Sequence, residues 1–382
     1  MGRSVCGKGV KFFVALSIAL MLVALFFGLW PRGFDFSNEV TWLPSQPGLR
    51  FKEYGVAYTA PVKEWGNEAD AEASDFSVEI ALRPRSYHDN GFNFILVVHN
   101  GDDRAQLVVG QWRSWLIVMN GDDYDHRRKT KRIAIKFTIS PSRYRFVTIT
   151  TGRKGTRIYL DNRLIRIEKD LMLTIPKGQK TRLFLGNAPD GRQSWRGDIL
   201  GLAWYDHVLG DQDVAMHFRQ WSRSQNFLFA RKYKPFLLYV FDEKNGRKVI
   251  DQSSGNHDLK IPSKMVLLDK KILSLRRVRS DVDSGFVEDV FLNFIGFIPL
   301  GFVFMMTFVT AAGFFRKRHI WMTISLCFGI SLTIEILQAW IPSRSSDCLD
   351  LLLNTFGALL GTMMYVWGYG RVRREKAGKP GS

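Results

Sequence analysis

Four long apolar runs divide this chain and constrain what it can fold into. The first is uninterrupted from Phe12 to Trp30, and three more cover about 290–313, 320–341 and 349–369. Each is long enough to cross a bilayer, which takes roughly 20 helical residues. The stretch between the first and second runs is mixed in polarity. We therefore expect membrane-spanning segments at both ends and a water-exposed domain in the middle.

A cleaved signal peptide is the alternative interpretation of the first run. The run is longer than the usual apolar core of a signal peptide, and its exit, Gly28-Leu29-Trp30-Pro31-Arg32, contains no small-x-small cleavage site. We therefore interpret residues 12–30 as a first transmembrane helix.

Basic residues flank the four spans in a pattern that predicts their orientation. Lys and Arg are favoured on the cytoplasmic side of short flanking segments. They precede the first span, join the second to the third and follow the fourth: Arg3, Lys8, Lys11; Arg316, Lys317, Arg318; Arg371, Arg373, Arg374, Lys376 and Lys379. The pattern predicts cytoplasmic termini, 1–11 and 371–382, with residues 31–289 outside.

The net charge of +18 belongs partly to this outer segment. Residues 31–289 contain 42 Lys/Arg against 32 Asp/Glu, a net charge of +10. A basic domain outside the cell faces lipid headgroups, anionic polymers or acidic glycans, so no nucleic acid partner is expected. The three cysteines, Cys6, Cys327 and Cys348, lie elsewhere, and the outer domain must therefore be stable without disulfides.

The outer segment shows the pattern of an all-β domain. Short β-branched and aromatic runs, such as FNFILVVHN, AQLVVGQW and YRFVTITT, are separated by turn sequences such as Asn100-Gly101-Asp102-Asp103 and Asn120-Gly121-Asp122-Asp123. Many closely spaced strands without amphipathic helices between them predict a sandwich or barrel. The fold class is therefore a multidomain membrane protein, with a four-helix transmembrane part and an extracytoplasmic jelly-roll sandwich.

Residues 48–262 resemble the concanavalin A-like, laminin-G-like jelly rolls. FVTITTGRKGTRIYLDNRLI (146–165) is similar to their paired strands, and LFLGNAPDGRQSWRGDILGLAWYDHVLGDQDVAMHF (183–218) is similar to their closing stretch. Residues 237–262 are similar to the element that normally opens such domains, but here they come last. Residues 48–59 are similar to the element that normally follows it, but here they come first. The resemblance therefore implies a circularly permuted sandwich, preceded by a linker at 31–47.

Several residues of the sandwich have both a binding and a structural interpretation. Trp195 and Trp204 are the candidate glycan-binding residues among the aromatics Trp112, Trp115, Trp195, Trp204 and Tyr205, although packing in the core is the alternative. The carboxylates Asp102, Asp103, Asp122, Asp123 and Asp125 are either calcium ligands, as the resemblance allows, or turn residues. The histidines show no zinc-binding spacing, and we predict no metal site.

The segment at 263–285 separates the two domains. Within it, SKMVLLDKKILSLRRVRS (263–280) mixes aliphatic residues with Lys and Arg. Such a segment is either an interfacial helix on the outer leaflet or a basic linker.

Polar side chains recur inside the C-terminal spans at helical spacing. Ionisable groups there are costly and mark functional sites by default. Three sets each share one helix face: Asp289 with Asn293, Glu335 with Gln338, and Asp347 with Asp350 and Asn354; Arg344 lies between the last two spans. In the predicted topology all three faces converge in the outer leaflet. Gly357 and Gly361 form a GxxxG pattern that favours close helix packing.

These sets carry a resemblance to the VanZ-like membrane family over residues 286–370. The matching patterns are DVFLNFIGFIPLG (289–301) and EILQAWIPSRSSDCLDLLLNTFGALLG (335–361). The resemblance implies a role in the bacterial cell envelope, in the cytoplasmic membrane, and in low-level resistance to the glycopeptide teicoplanin.

Two functional hypotheses follow, one enzymatic and one not. In the first, a polar cavity binds or processes a lipid-linked or anionic envelope component, with Glu335, Asp350 and Asp347 as acid/base candidates and Arg344, Gln338, Asn354, Asp289 and Asn293 as ligand-binding residues. In the second, the chain is a non-enzymatic membrane-anchored lectin that tethers surface polysaccharide. The expected partners are an envelope glycan or lipid-linked precursor, membrane lipid and, through the membrane domain, a second copy of the chain. No cofactor fingerprint is present in the sequence.

Overall fold

The computed structural model of the chain contains two compact units, Asp35–Asp269 and Met1–Phe34 with Lys270–Ser382, and each is described by itself. The residues that the structure describes are 2–30, 37–62, 65, 75–85, 91–137, 143–178, 180–189, 191, 193–265, 272–273, 284–341, 344 and 346–377.

Two antiparallel sheets form the sandwich. The first sheet has the order β1-β2-β13-β4-β9-β10-β11, with β14 paired to β13, and the second has the order β15-β16-β3-β12-β5-β6-β7-β8. The strands of the first sheet are β1 (Val40–Trp42), β2 (Leu49–Phe51), β4 (Phe76–Pro84), β9 (Arg145–Gly152), β10 (Gly155–Leu160), β11 (Arg163–Glu168), β13 (Gly197–Tyr205) and β14 (Leu237–Tyr239). Those of the second are β3 (Ala57–Thr59), β5 (Asn93–His99), β6 (Leu107–Trp112), β7 (Trp115–Asn120), β8 (Arg132–Lys136), β12 (Arg182–Leu185), β15 (Lys248–Val249) and β16 (Leu259–Lys260).

The core lies between the sheets and follows the period of two of a β-strand. Val78, Ile80 and Leu82 of β4 alternate with residues that point away, and Leu116 and Val118 of β7 belong to the same buried cluster. The all-β sandwich predicted from the sequence is confirmed. The late strands complete both sheets, because β14 pairs with β13 and β16 pairs with β3, as the permuted order requires.

Helix α2 (Asp211–Ser224) and a 3-10 helix (Leu228–Tyr233) cover part of the outer face of the first sheet. A buried polar group joins α2 to the sheet: Nδ1 of His217 lies 3.0 Å from Oε2 of Glu79. The hydroxyl of Tyr205 donates to the same oxygen at 3.0 Å. Burial, together with the Glu79 charge, raises the pKa of Tyr205, so the phenol stays neutral. This network satisfies a carboxylate that is fully buried.

The helical unit consists of α1 (Gly2–Leu29), α3 (Ser284–Ala312), α4 (Lys317–Gln338) and α5 (Cys348–Ala377). Each contains a segment long and apolar enough to cross a membrane: Gly9–Leu29, Val290–Ala312, Lys317–Gln338 and Cys348–Arg371. Their shared core is formed by Phe297, Leu300, Phe304, Cys327, Ile330, Ile334 and Ala358, with Leu20, Met21, Leu25 and Leu29 of α1 packed against it. The predicted linker or interfacial helix lies largely outside the described residues, which here include only 263–265, 272–273 and 284–285.

Small residues bring α3 and α5 into backbone contact. A Cβ atom on Gly357 would lie 2.0 Å from the carbonyl oxygen of Phe294, and one on Gly361 would lie 1.9 Å from that of Ile298. In the reverse direction, a Cβ atom on Gly301 of α3 would lie 2.1 Å from the carbonyl oxygen of Ala358. The close packing predicted from the GxxxG pattern is confirmed, and only glycine fits at these positions.

Candidate functional sites

Glu335 connects the end of α4 to the start of α5. Its side chain is 1% exposed. Oε2 accepts a hydrogen bond from the backbone N–H of Asp347 at 2.7 Å, and the hydroxyl of Ser346 also donates to the carboxylate. Oγ of Ser346 accepts in turn from the N–H of Leu273 at 3.0 Å. The carboxylate therefore orders the short connection between the two helices.

Two further carboxylates lie at the N-terminus of α5. Oδ1 of Asp347 accepts from the N–H of Leu349 at 3.0 Å, which makes Asp347 the N-cap of the helix. Asp350 lies in the first turn, where the helix dipole favours negative charge. The charges of Asp347 and Asp350 both act on Glu335. Three carboxylates thus lie near one another at this end of the helix pair.

Asn354 extends this polar interface one turn along α5. Its side chain is 3% exposed, and Nδ2 donates to Oγ of Ser331 at 2.9 Å. Ser331 lies one turn before Glu335 on α4, so both polar contacts follow the same pair of helix faces. Oδ1 of Asn354 is buried and has no hydrogen-bond partner among the described residues. This acceptor faces an interface where an additional donor would be favourable.

Arg344 and Gln338 bind the C-terminus of α1. Nη2 of Arg344 lies 3.3 Å from the carbonyl oxygens of Phe27 and Trp30, and Nε2 of Gln338 donates to that of Gly28 at 2.8 Å. Carbonyls at a helix C-terminus have no partner within the helix, and a cation there also complements the helix dipole. Arg344, which was predicted to clamp an anion, therefore contacts the C-terminal end of α1 through its guanidinium group.

The structure brings together only part of the predicted membrane site. Residues from α4 and α5 meet, as their spacing predicted. Asn293 of α3 is partly buried and has no hydrogen bond to Glu335 or Asp347 among the described contacts. Asp289 lies in α3, but its side chain is outside the described residues.

The two tryptophans predicted to bind glycan are core residues, and the structure corrects that prediction. Trp195 is 0% exposed and Trp204 is 1% exposed. Nε1 of Trp195 donates to Oε1 of Gln111 at 2.8 Å, and the ring of Trp204 stacks on Phe76 with centroids 5.0 Å apart. Neither ring has a free face for a sugar. Both side chains point inward from their segments, a direction that the local sequence does not reveal.

A different tryptophan pair is exposed, at the tip of the hairpin formed by β6 and β7. Trp112 and Trp115 are cross-strand partners with exposed fractions of 39% and 38%. The turn between them is held in place, because Nε2 of Gln111 donates to the carbonyl of Arg113 at 2.9 Å. The carbonyl of Ser114 accepts from Phe137 at 2.7 Å. Two tryptophans separated by a two-residue turn were the sequence signal for this site.

The acidic turn residues bind groups of the protein itself. Burial alone would raise the pKa of Asp123, but the N–H groups of Thr130 and Arg128 and the Thr130 hydroxyl outweigh it and lower that pKa to about 2. Three of the other carboxylates pair with arginines, Asp102 with Arg104, Asp122 with Arg128 and Asp125 with Arg127, and Oδ1 of Asp103 lies 3.0 Å from Nε2 of His99. Within the described ranges, no group of three or more acidic, His or Cys side chains has metal-binding geometry. The geometry therefore favours the interpretation of these aspartates as turn residues.

Together these features define a membrane protein with four spanning helices and a two-sheet β-sandwich between the first and second of them. The VanZ/LLP1 family model matches residues 236–369, and that of the concanavalin A-like lectin/glucanases superfamily matches residues 60–215. The combination predicted from the sequence is therefore confirmed. The VanZ/LLP1 match begins within the sandwich, because it includes β14, β15 and β16.

Comparison with solved structures found matches of low similarity. The binding domain of botulinum neurotoxin DC, in complex with rat synaptotagmin II, is 21% identical, with a TM-score of 0.35 over 48% of this chain and 45% of that one. A Bacteroides ovatus protein described as carbohydrate-binding is 12% identical, with a TM-score of 0.38 over 56% of this chain and 57% of that one. The CBM40 of Ruminococcus gnavus IT-sialidase, bound to α2,3-sialyllactose, is 14% identical, with a TM-score of 0.32 over 46% of this chain and 96% of that one. The chain thus spans about half the length of the first two. No curated protein matches it.

Proposed function

We propose that this chain is a membrane protein of the bacterial cell envelope that binds surface glycan through its sandwich. The observation that carries the proposal is the exposed pair Trp112 and Trp115 on a hairpin with a fixed turn. Indole rings supply a large apolar face at low entropic cost, and such residues dominate binding energy at interfaces. The hydrogen bonds at Arg113 and Ser114 preorganise the turn that carries the two tryptophans, which lowers the entropic cost of binding.

Replacing Trp112 and Trp115 by alanine is expected to weaken glycan binding by the full-length protein at least about tenfold, equivalent to 1.4 kcal/mol. The measurement is binding of detergent-solubilised protein to an array of neutral and acidic glycans. Val208→Ala is the matched control, because Val208 is 42% exposed on the same sandwich and follows the far end of β13. Phenylalanine at both tryptophan positions should restore part of the affinity. Unchanged binding by the double alanine variant would refute the assignment.

We also propose that the termini are cytoplasmic and the sandwich is extracytoplasmic. The basic flanks support this orientation, and so does the even number of candidate spans, four among the residues that the structure describes. In a variant without native cysteines, a cysteine replacing Lys154 should react in intact cells with a membrane-impermeant maleimide. A cysteine replacing Arg318, which is also exposed, should react only after permeabilisation. The reverse pattern of labelling would contradict the orientation.

A second candidate function is processing of a lipid-linked envelope component at the membrane cluster. It is favoured by the carboxylates of Glu335, Asp347 and Asp350 and by Oδ1 of Asn354, which has no partner in the part of the chain that the structure describes. A group of carboxylates is the side-chain chemistry that acid/base catalysis uses. Arg344 contributes to the site by ordering α1 through the carbonyls of Phe27 and Trp30.

A further inference from the structure

The outer face of the first sheet is only partly covered by α2. On the other part of that face, three arginines surround one aspartate. Asp198 of β13 is fully buried, and its carboxylate lies 2.9 Å from Arg50, 2.6 Å from Arg83 and 3.0 Å from Arg85. Asp198 is the cross-strand partner of both Arg50 and Arg83, so the sheet register brings the group together. We call these four residues the arginine cluster.

The arginine cluster carries more positive charge than its aspartate neutralises. Burial alone would raise the pKa of Asp198, but hydrogen bonds from Arg85, Arg50 and Arg83 outweigh it and lower that pKa, so the carboxylate is ionised at neutral pH. Three guanidinium charges against one carboxylate leave a net charge of +2. The arginine side chains are 28%, 16% and 41% exposed for Arg50, Arg83 and Arg85, so each side chain is partly open to solvent.

The guanidinium groups are also held in fixed orientations. Asp198 binds Arg85 through both Nε and Nη2, at 3.0 Å each, and Arg83 lies over the ring of Tyr144 at 4.2 Å. A guanidinium that is already oriented loses little entropy when it binds a planar or tetrahedral oxyanion through two hydrogen bonds. A lipid surface does not require this order, because flexible basic side chains bind anionic headgroups through charge alone.

A second surplus of charge flanks Tyr144. Asp161 pairs with Arg143 at 3.4 Å and with Arg145 at 2.9 Å, which again leaves more cations than anions. Tyr144 itself lies under Arg83 of the arginine cluster. Mutual repulsion among these arginines decreases when an anion binds between them.

The arginine cluster lies at the same end of the sandwich as the exposed tryptophans. Asp198 follows Trp195 by three residues at the start of β13, and Trp195 donates a hydrogen bond to Gln111, the neighbour of Trp112. Arg85 immediately follows the end of β4, and the next strand, β5, begins with Asn93, which pairs with Gln111. The arginine cluster and the tryptophan pair therefore lie at one end of the sandwich but on the outer faces of different sheets, so they are separate contact sites.

We propose that Arg50, Arg83 and Arg85, oriented by Asp198, bind the carboxylate or phosphate groups of an acidic surface polysaccharide. This inference rests on the proposed function and names the chemical class of glycan that the sandwich recognises. The tryptophans bind sugar rings, and the arginines select acidic polymers over neutral ones.

The test measures binding of the full-length protein in detergent to three probes: a polygalacturonate carrying carboxylates, a poly(glycerol phosphate) and neutral dextran. The double variant Arg50→Gln with Arg85→Gln should lose at least about tenfold in affinity for one or both acidic probes and show a weaker salt dependence. Arg163→Gln is the matched control, because it removes the same charge from an exposed position on β11, at the far edge of the sheet. An unchanged melting temperature of the sandwich shows that the double variant is folded.

The outcomes separate this inference from the proposed function. If the protein binds acidic and neutral probes equally, and only the Trp112 and Trp115 variants lose that binding, the arginine site is overturned. Glycan binding by the sandwich then stays in place. If the arginine substitutions weaken binding to phosphatidylglycerol vesicles but not to the polymers, the polysaccharide site is overturned in favour of a membrane surface. Absence of binding to these probes and to every glycan on the array refutes the proposed function as well.

Discussion

Replacing Gly361 by alanine is expected to abolish, or reduce severalfold, the accumulation of folded protein in the membrane. The new Cβ would lie 1.9 Å from the carbonyl oxygen of Ile298, and the clashing atom is backbone, which no rotamer change can move aside. Helices α3 and α5 would have to separate, and the buried contacts of Phe297 and Ala358 would loosen. Overpacking of a well-packed interface costs about 1–3 kcal/mol, and more where backbone must shift.

The control for this prediction lies on the same helix. Gly368→Ala introduces the same methyl group where nothing lies within 4 Å, and it should be neutral or slightly stabilising because alanine favours helix. Membrane abundance, size-exclusion profile and melting temperature in detergent are the measurements. Equal behaviour of the two variants would show that α3 and α5 do not pack through glycine contacts.

Replacing Glu335 by glutamine, or Asp350 by asparagine, is expected to abolish the envelope phenotype while leaving membrane abundance nearly unchanged. The phenotype to be followed is the reduced teicoplanin susceptibility that the VanZ-like resemblance implies. A glutamine oxygen can still accept from the N–H of Asp347 and the hydroxyl of Ser346, so the connection between α4 and α5 should persist. A charged side chain within a span costs at least about 2.5 kcal/mol. An amide could make a purely structural contact without that cost, so the presence of carboxylates favours a chemical role.

Glu335→Leu distinguishes the structural role from the chemical one. It removes the acceptor, leaves the buried N–H of Asp347 without its partner and should therefore lower abundance. If the glutamine and asparagine variants both retain the phenotype, the carboxylates are structural, and the second candidate function is withdrawn. The proposed glycan binding by the sandwich is unaffected by that outcome, since its residues lie in a separate unit.

Much of the candidate membrane site was predictable because it depends on spacing along single helices. Glu335 and Ser331 share a face of α4, and Asp347 and Asn354 share a face of α5, as a period of 3.6 requires. The partner of Arg344 was not predictable. Phe27 precedes it by 317 residues, and no local pattern reports a contact over such a separation.

The sequence by itself determined the four spans, the all-β character of the middle domain and the close approach at Gly357 and Gly361. These properties depend on apolar length, on turn residues and on the absence of a side chain, all of which are local. Only the tertiary structure decided which tryptophans are exposed and which arginines surround Asp198. Trp195 and Trp112 have the same chemistry, but strand pairing and sheet packing bury one ring and leave the other in solvent. Because strand register joins residues far apart in the chain, the arginine cluster exists only once β2, β4 and β13 have paired.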